Sequence, residues 1–172
     1  AYDDLPVHQT DRVGEEGKGF RYLLDGLNAE RILVAAEALG IGRAAMRRAV
    51  SYAKEREIFG RPIGQNQGVS FPLGEAQMRL DAAELMIRKA SWLLDHGEPC
   101  GAEANMAKWL AADAAFQAAD QAIQTHGGFG YAREYHVERY WREARLMRIA
   151  PISQEMILNY VTEHVLELPR SY

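Results

Sequence analysis

The stretch VSFPLGEAQMRLDAAELMIRKASWLL, residues 69–94, decides the fold class. Val69, Leu73, Ala76, Leu80, Ala83, Ile87, Ala90 and Leu94 follow one another at alternating steps of four and three. That spacing gathers them on one side of a 3.6-residue helix, the stripe that helices packed nearly antiparallel require. The pattern predicts a helix from about Gln65 to Asp95, stopped by His96-Gly97-Glu98-Pro99. Pro72 should kink it near its start, because the Gly68 carbonyl loses its usual donor.

The same reading extends in both directions. Upstream, Phe20, Leu23, Leu24 and Leu27 recur at threes and fours, and Ile32, Ala35, Ala36 and Leu39 continue after a small change of phase. A first helix is expected from Gly17 to near Arg56, before the turn residues Gly60, Pro62 and Gly64. Downstream, a third helix should run from about Ala102 to His126. Its Ala104, Ala107, Ala111, Ala114 and Ala118 form a small-residue face that lets a neighbour come close. Gly127-Gly128 ends it, since glycine takes the left-handed conformation without penalty. Two shorter helices are expected at Glu134–Met147 and Ser153–Leu166. The fold class is all-α: an up-and-down bundle of four long helices plus shorter ones, with no strands after Val7. Residues 1–14 read as an extended segment, in which Leu5-Pro6-Val7 suits an edge or connecting strand. The helical domain fills 15–172.

Composition narrows the function classes. The 172 residues are 48 % apolar and 26 % charged with a net charge of −4, an ordinary balance for a folded domain with a real core. Nucleic-acid binding needs clustered Lys and Arg to neutralise phosphates, whereas basic residues here are mixed with Glu and Asp. The single Cys100 allows no internal disulfide. No stretch reads as a signal peptide or a membrane span, so a cytoplasmic protein is expected. A metal site is not expected: a di-iron bundle uses Glu-x-x-His, and none of His8, His96, His126, His136 and His164 has a Glu three residues before it. Neither a Gly-x-Ser-x-Gly elbow nor a P-loop is present.

What stands out is an ordered set of short motifs. The first helix and the following loop give Tyr52-x-x-x-Arg56-x-x-Phe59-Gly60-x-x-Ile63-x-x-x-Gln67. The third helix closes with Gln124-Thr125-His126-Gly127-Gly128-Phe129-Gly130-Tyr131. Arg142-Glu143-Ala144-Arg145 and Ser153-Gln154-Glu155 follow. A guanidinium offers phosphate oxygens a fork of donors, although an arginine at a helix C-terminus is also favoured by the helix dipole. Paired glycines let a phosphate reach the backbone, and they equally serve as a helix C-cap.

With Gly17-Lys18-Gly19-Phe20 at the head, the set resembles the C-terminal helical domain of the acyl-CoA dehydrogenase family, and the likeness covers essentially the whole chain. Tyr2-Asp3-Asp4-Leu5-Pro6-Val7 looks like the end of the family's β-domain, and Leu168-Pro169-Arg170-Ser171-Tyr172 looks like a full C-terminus. The resemblance implies a piece of a longer protein, with an N-terminal helical domain and a β-domain ahead of it, and little activity in the piece alone. It implies FAD as cofactor, an acyl-CoA thioester as substrate, and a homo-oligomer, tetramer or dimer. Cofactor-binding residues by resemblance are Arg56, Ile58, Phe59, Asn66, Gln67, Gln124, His126, Gly127, Gly128, Ser153 and Glu155. Arg56 corresponds to an arginine at the flavin's diphosphate or adenine end, often across a subunit boundary. Ile58 stands where some members have a hydroxyl residue, and Asn66-Gln67 matches a His-Gln pair.

Many members place the catalytic Glu, which takes the α-proton, in the loop before the last helix, ahead of Gly-Thr. Here Pro151-Ile152-Ser153 occupies that place. Proline has no acid–base group and no N–H to hold the thioester carbonyl. Isovaleryl- and long-chain-type members put the Glu on the first long helix beside an Arg, and Glu30 matches that position. Glu30 is therefore the expected base, with Asn28 and Arg31 facing the CoA side of the substrate. Two other readings stay open: a flavin-binding relative with different oxidation chemistry, and a non-catalytic helical module used for oligomerisation.

Overall fold

The structure, a computed structural model, describes residues 2–170. Its helices are α1 (Gly19–Glu55), α2 (Gln67–Asp95), α3 (Gly101–His126), α4 (Val137–Met147) and α5 (Gln154–His164). The all-α bundle read from the periodicity is what forms. Three helices are long, at 37, 29 and 26 residues, and two have 11, in place of four long rods. No helix among the described residues is long and apolar enough to cross a membrane. Ala1, Ser171 and Tyr172, the last two part of the ending singled out in the sequence, lie outside the described residues.

Local chemistry moves several boundaries. Contrary to the expectation of no strand beyond Val7, α1 is followed by an antiparallel hairpin, β1 (Glu57–Ile58) with β2 (Arg61–Pro62), paired Glu57 to Pro62 and Ile58 to Arg61. Two residues per strand are too few to show an alternating pattern. Its two-residue turn puts Phe59 (φ 55°) and Gly60 (φ 75°) in the left-handed region, as the twist of such hairpins requires. Leu5-Pro6-Val7 forms no strand and is exposed; the segment ahead of α1 holds one 3-10 turn, Gln9–Asp11. α4 begins at Val137 and not at Glu134, because Arg133–Tyr135 is a 3-10 turn and His136 takes φ 63°. α2 continues on both sides of Pro72.

The bundle is organised around α3, which touches α1, α2, α4 and α5. α1 and α3 run the same way: Asn28 lies by Gly101, Gly42 by Ala115, and Tyr52 by His126. α2 returns between them, with Gly64 ahead of it against Ala53 at one end and Lys89 paired to Glu103 at the other. α4 and α5 lie end to end along α3 in the opposite sense. Trp141 Nε1 donates to Asp120 Oδ1 at 2.9 Å, Lys108 reaches Ile152, and Tyr160 reaches Gly101. The alanines of α3 at 104, 107, 111, 112, 114, 115, 118, 119 and 122 are all buried. Their small size is what allows four partners around one rod. A Cβ at Gly42 would stand 2.7 Å from Leu80 Cδ2 and 3.0 Å from Ala115 Cα, so α1, α2 and α3 meet there at backbone distance.

One charged side chain is built into this core. Lys108 of α3 is 0 % exposed, and its Nζ donates to the Ile152 carbonyl at 2.6 Å. That bond ties the α4–α5 loop to the bundle. On the same loop, Arg148 Nε donates to Gln154 Oε1 at 2.7 Å, and the Arg148 guanidinium lies over the Phe116 ring and 3.7 Å from Asp113. Burial is the main cause that lowers the Lys108 pKa to about 8, opposed by the charge of Glu155.

Two outcomes follow from this packing. Gly42→Val should lower unfolding free energy by about 2–3 kcal/mol in urea melts through overpacking. Gly40→Ala, where no atom lies within 4 Å, should raise it by up to about 1 kcal/mol through helix propensity. For Lys108 the folded pKa lies below the unfolded 10.5, so the unfolded chain binds the extra proton between the two values. Its contribution to stability is then least favourable below about pH 8 and improves as pH rises towards 10.5. The difference in unfolding free energy between wild type and Lys108→Met should grow by about 1–3 kcal/mol over that window. A flat difference would contradict the buried charge.

Candidate functional site

The parallel course of α1 and α3 sorts the candidate residues into two groups at opposite ends of the bundle. From Glu30 to Arg56, α1 rises roughly 39 Å, and from Lys108 to Gln124, α3 rises roughly 24 Å, at about 1.5 Å per residue.

At the C-terminal ends of α1 and α3, an open groove of about 460 Å³ is lined by Tyr52, Arg56, Ile58, Gln124, His126 and Gly127–Gly128, among others. Arg56 is the C-cap of α1. Its N–H donates to the Tyr52 carbonyl, and its own carbonyl accepts from Ile63 N at 2.8 Å. The hairpin therefore fixes the backbone from which the exposed guanidinium projects. His126 is buried and stacks on Tyr52 with ring centroids 4.3 Å apart. Tyr135 meets both rings edge-on. The His126 Nδ1 lies 2.7 Å from the Ala122 carbonyl. A carbonyl only accepts, so Nδ1 carries the proton. Burial, the first cause, lowers the His126 pKa, and the nearby Arg48 charge adds to it against the Ala122 bond. The ring is held neutral, and Nε2 is left as an acceptor.

Gly127 caps α3 with φ 59°, a backbone state that suits glycine. Gly128 has open space beside its Cα, whereas a Cβ at Gly130 would stand 2.8 Å from the Ile123 carbonyl. The first pair leaves backbone accessible from the groove, and Gly130 lets the next turn fold back on α3. An exposed arginine fork and the Gln124 amide form a donor set suited to a diphosphate, and the bare glycine backbone lets it come close, although the Gly127 N–H itself donates to the Gln124 and Ile123 carbonyls. The residues present therefore fit the diphosphate of a flavin dinucleotide.

Three candidates lie close by but outside the lining of this groove. Phe59, at the hairpin tip, is 100 % exposed. Asn66 precedes α2 and is occupied within the chain: its Oδ1 accepts from Arg61 at 2.9 Å, and its Nδ2 donates to the Ile63 carbonyl at 3.0 Å. Gln67, the first residue of α2, is exposed.

Asn28, Glu30, Arg31, Ser153 and Glu155 belong to the other end. Glu30 is exposed on α1. Arg31 is 7 % exposed and donates to Asn28 Oδ1 at 2.9 Å, while its Nε is buried without a partner. A methyl on Gly101 would sit 2.8 Å from the Tyr160 hydroxyl and 3.8 Å from Asn28 Oδ1, so α1, α3 and α5 converge there. Arg31 is thus buried where these helices meet, bonded to Asn28. Ser153 caps α5, its hydroxyl accepting from Met156 N at 3.3 Å. Glu155, exposed in the first turn, is held below the ordinary carboxylate range first by its own backbone N–H and then by the Ser153 hydroxyl.

Sequence reasoning passed over the residues that position both ends. Lys108 looks like any helix lysine, yet Lys108 and the Arg148–Gln154 pair hold the α4–α5 loop. Tyr135 completes the aromatic wall behind His126. A lysine set within an alanine run was the one signal available for Lys108.

The comparisons with known proteins show the family and agree with the fold. Residues 17–166 match the family model described as acyl-CoA dehydrogenase, C-terminal domain. The chain is similar to the acyl-CoA dehydrogenase FadE12 of Mycobacterium bovis, 48 % identical over 172 residues, covering 99 % of this chain and 44 % of that protein. Among solved structures it is similar to butyryl-CoA dehydrogenase from Megasphaera elsdenii, with a TM-score of 0.90 and 38 % identity, over 97 % of this chain and 43 % of the other. It is also similar to PigA, solved with FAD and proline, with a TM-score of 0.91 and 28 % identity, over 95 % and 43 % of the two chains. The chain thus spans less than half the length of the relatives it matches, and it belongs to the acyl-CoA dehydrogenase family, as a C-terminal domain.

Proposed function

We propose that this domain works within a longer, cytoplasmic, homo-oligomeric enzyme that oxidises an acyl-CoA thioester between its α and β carbons. The observation that carries the reading is the groove gathering Arg56, Gln124, His126, Gly127 and Gly128 on a chain of this family. Arg56 and the Gln124 amide would hold the diphosphate of FAD where the bare backbone at Gly127–Gly128 lets it approach, and His126 Nε2 would accept from its sugar hydroxyls. When bound, FAD receives the β-hydrogen of the substrate as hydride.

Glu30 takes the α-proton on a carboxylate oxygen, leaving the electron pair to form the new double bond. A carboxylate that accepts a proton from carbon needs a dry site, which the acyl thioester supplies by lying over this exposed position. Arg31 holds Asn28 in place, and Asn28 faces the substrate. Ser153, at the start of α5, offers its hydroxyl to the flavin, with Glu155 beside it. Phe59, Ile58, Asn66 and Gln67 border the cofactor at the other end. Because α1 separates Glu30 from Arg56 by roughly 39 Å, further than a flavin dinucleotide extends, its two ends serve two different flavins. That arrangement needs more than one copy.

A second reading is favoured by Pro151-Ile152. Proline supplies no N–H to the thioester carbonyl, and losing one such donor costs about 3–4 kcal/mol in the transition state. A flavin-dependent relative that oxidises something other than an acyl-CoA would not need it.

The test is anaerobic titration of the complete protein with a panel of acyl-CoA thioesters while flavin absorbance is followed. Bleaching is expected, and Glu30→Gln should retain flavin while bleaching slows roughly 100- to 10,000-fold. Unchanged rates in that variant would remove Glu30 as base. No bleaching by any thioester in the wild type would favour the second reading.

A further inference from the structure

α1 enters the bundle late. It starts at Gly19, yet its first buried residue is Arg31, and nothing in 19–30 is buried. Glu30 is the last exposed residue before that anchor. Neighbouring residues of a helix keep a fixed angle to one another, so the aim of the Glu30 side chain follows from how Arg31 is held.

A buried guanidinium ordinarily rests against a carboxylate. Arg31 instead donates to the Asn28 amide oxygen, and its Nε is buried without a partner. Burial lowers its pKa, and the charges of Tyr160 and Glu30 act against that shift, as a phenol standing close by would. From α3, Asn105 is 2 % exposed, its Nδ2 donates to the Gly101 carbonyl at 2.8 Å, and its Oδ1 is unmatched. From α5, the Tyr160 hydroxyl lies over Gly101. A Cβ there would meet that hydroxyl at 2.8 Å, the ring carbon Cζ at 3.7 Å and Asn28 Oδ1 at 3.8 Å. Tyr160 therefore takes the room that any side chain at position 101 would fill. Its ring is backed by His164, one turn along α5, with centroids 4.6 Å apart. An apolar filler would close the junction more simply, since a hydroxyl and a guanidinium both lose water there. A polar junction, by contrast, can fix one register.

We propose that Tyr160 is a positioning residue for proton abstraction: seated over Gly101 against the Arg31–Asn28 pair, it fixes the rotation of the α1 turn that carries Glu30. The inference rests on the proposed acyl-CoA oxidation with Glu30 as base, and names the residue that aims that base. Tyr160 acts through Arg31 and Asn28 and touches neither substrate nor flavin. The same helix is capped about two turns earlier by Ser153, the residue assigned to the flavin. One rod, α5, then sets the spacing between flavin contact and base.

The experiment uses the complete protein in heavy water with a thioester that carries sulfur in place of its β-carbon. Such a compound has α-hydrogens to exchange but no β-hydrogen to give the flavin, so exchange reports proton abstraction alone. Wild type should exchange them, and Glu30→Gln should not. Tyr160→Phe should slow exchange at saturating thioester, and flavin bleaching by an ordinary thioester, by about 10- to 100-fold. Half-saturation should stay within about twofold, which a loss of substrate binding would not allow. Gly101→Ala keeps every polar group and displaces only the hydroxyl, so its loss should match. It also decides the matter should Tyr160→Phe lose flavin or melt early. In the double variant the added methyl meets no oxygen and stands at ordinary contact from the ring, so the loss should equal that of Tyr160→Phe alone. Exchange at the wild-type rate in Tyr160→Phe, a loss confined to half-saturation, or a Gly101→Ala loss that adds in full to that of Tyr160→Phe would each overturn the positioning role. Those outcomes leave the proposed oxidation standing. A wild type that neither exchanges nor bleaches with any thioester, or a Glu30→Gln variant that exchanges normally, removes the proposed chemistry and the positioning role with it.

Discussion

The close approach of α1 and α2 to the alanine face of α3 is the constraint on which the rest depends. Gly42, Leu80 and Ala115 meet with no room for an added carbon, and the buried alanines of α3 continue that narrow seam along most of its length. Tight seams lock registers, because interiors are close-packed and respond to a single methylene. With α1 and α3 locked side by side and parallel, whatever lies at the end of one lies at the end of the other. The Arg56 cap and the Gly127–Gly128 cap therefore open on one groove, and the junction of Asn28, Arg31 and Tyr160 forms at the far end.

The seam leaves few apolar side chains to hold α4 and α5, and polar anchors share that task. Lys108 reaching the Ile152 carbonyl and Trp141 reaching Asp120 each join an outer segment to α3, while Arg148 ties the end of α4 to Gln154 at the start of α5 and lies 3.7 Å from Asp113 of α3. Breaking the Lys108 bond leaves a buried ammonium unmatched, which costs more than the bond itself contributes. The loop carrying Pro151, Ile152 and Ser153 is thus set by a lysine that its own sequence neighbourhood does not reveal. On the opposite side, α2 has satisfied its own core with one stripe and leaves Phe71, Met78, Leu85 and Trp92 exposed.

The helices were legible because each long segment repeats its apolar residues at threes and fours, and because Gly127 and the His96–Pro99 turn are strong stops. The hairpin was not, since Glu57–Ile58 and Arg61–Pro62 are held by a turn and not by a pattern. The start of α4 was misplaced because His136 takes a left-handed backbone that its residue type does not advertise. Of the candidate site, the motif residues that share a groove, Arg56 and Gln124–Gly128, were all named in the sequence. The inward turn of Arg31 was not, because exposed and buried arginines read alike in a string.

The amino-acid sequence by itself determined the helical class and the family, because these depend on residue type and short-range spacing. Only the tertiary structure decided which residues of α1 and α3 meet along the seam, that the candidates divide between two ends of the bundle, and that Lys108 secures the α4–α5 loop. Those outcomes depend on which side chains face each other across the seam, and such contacts join residues tens of positions apart that no local pattern encodes.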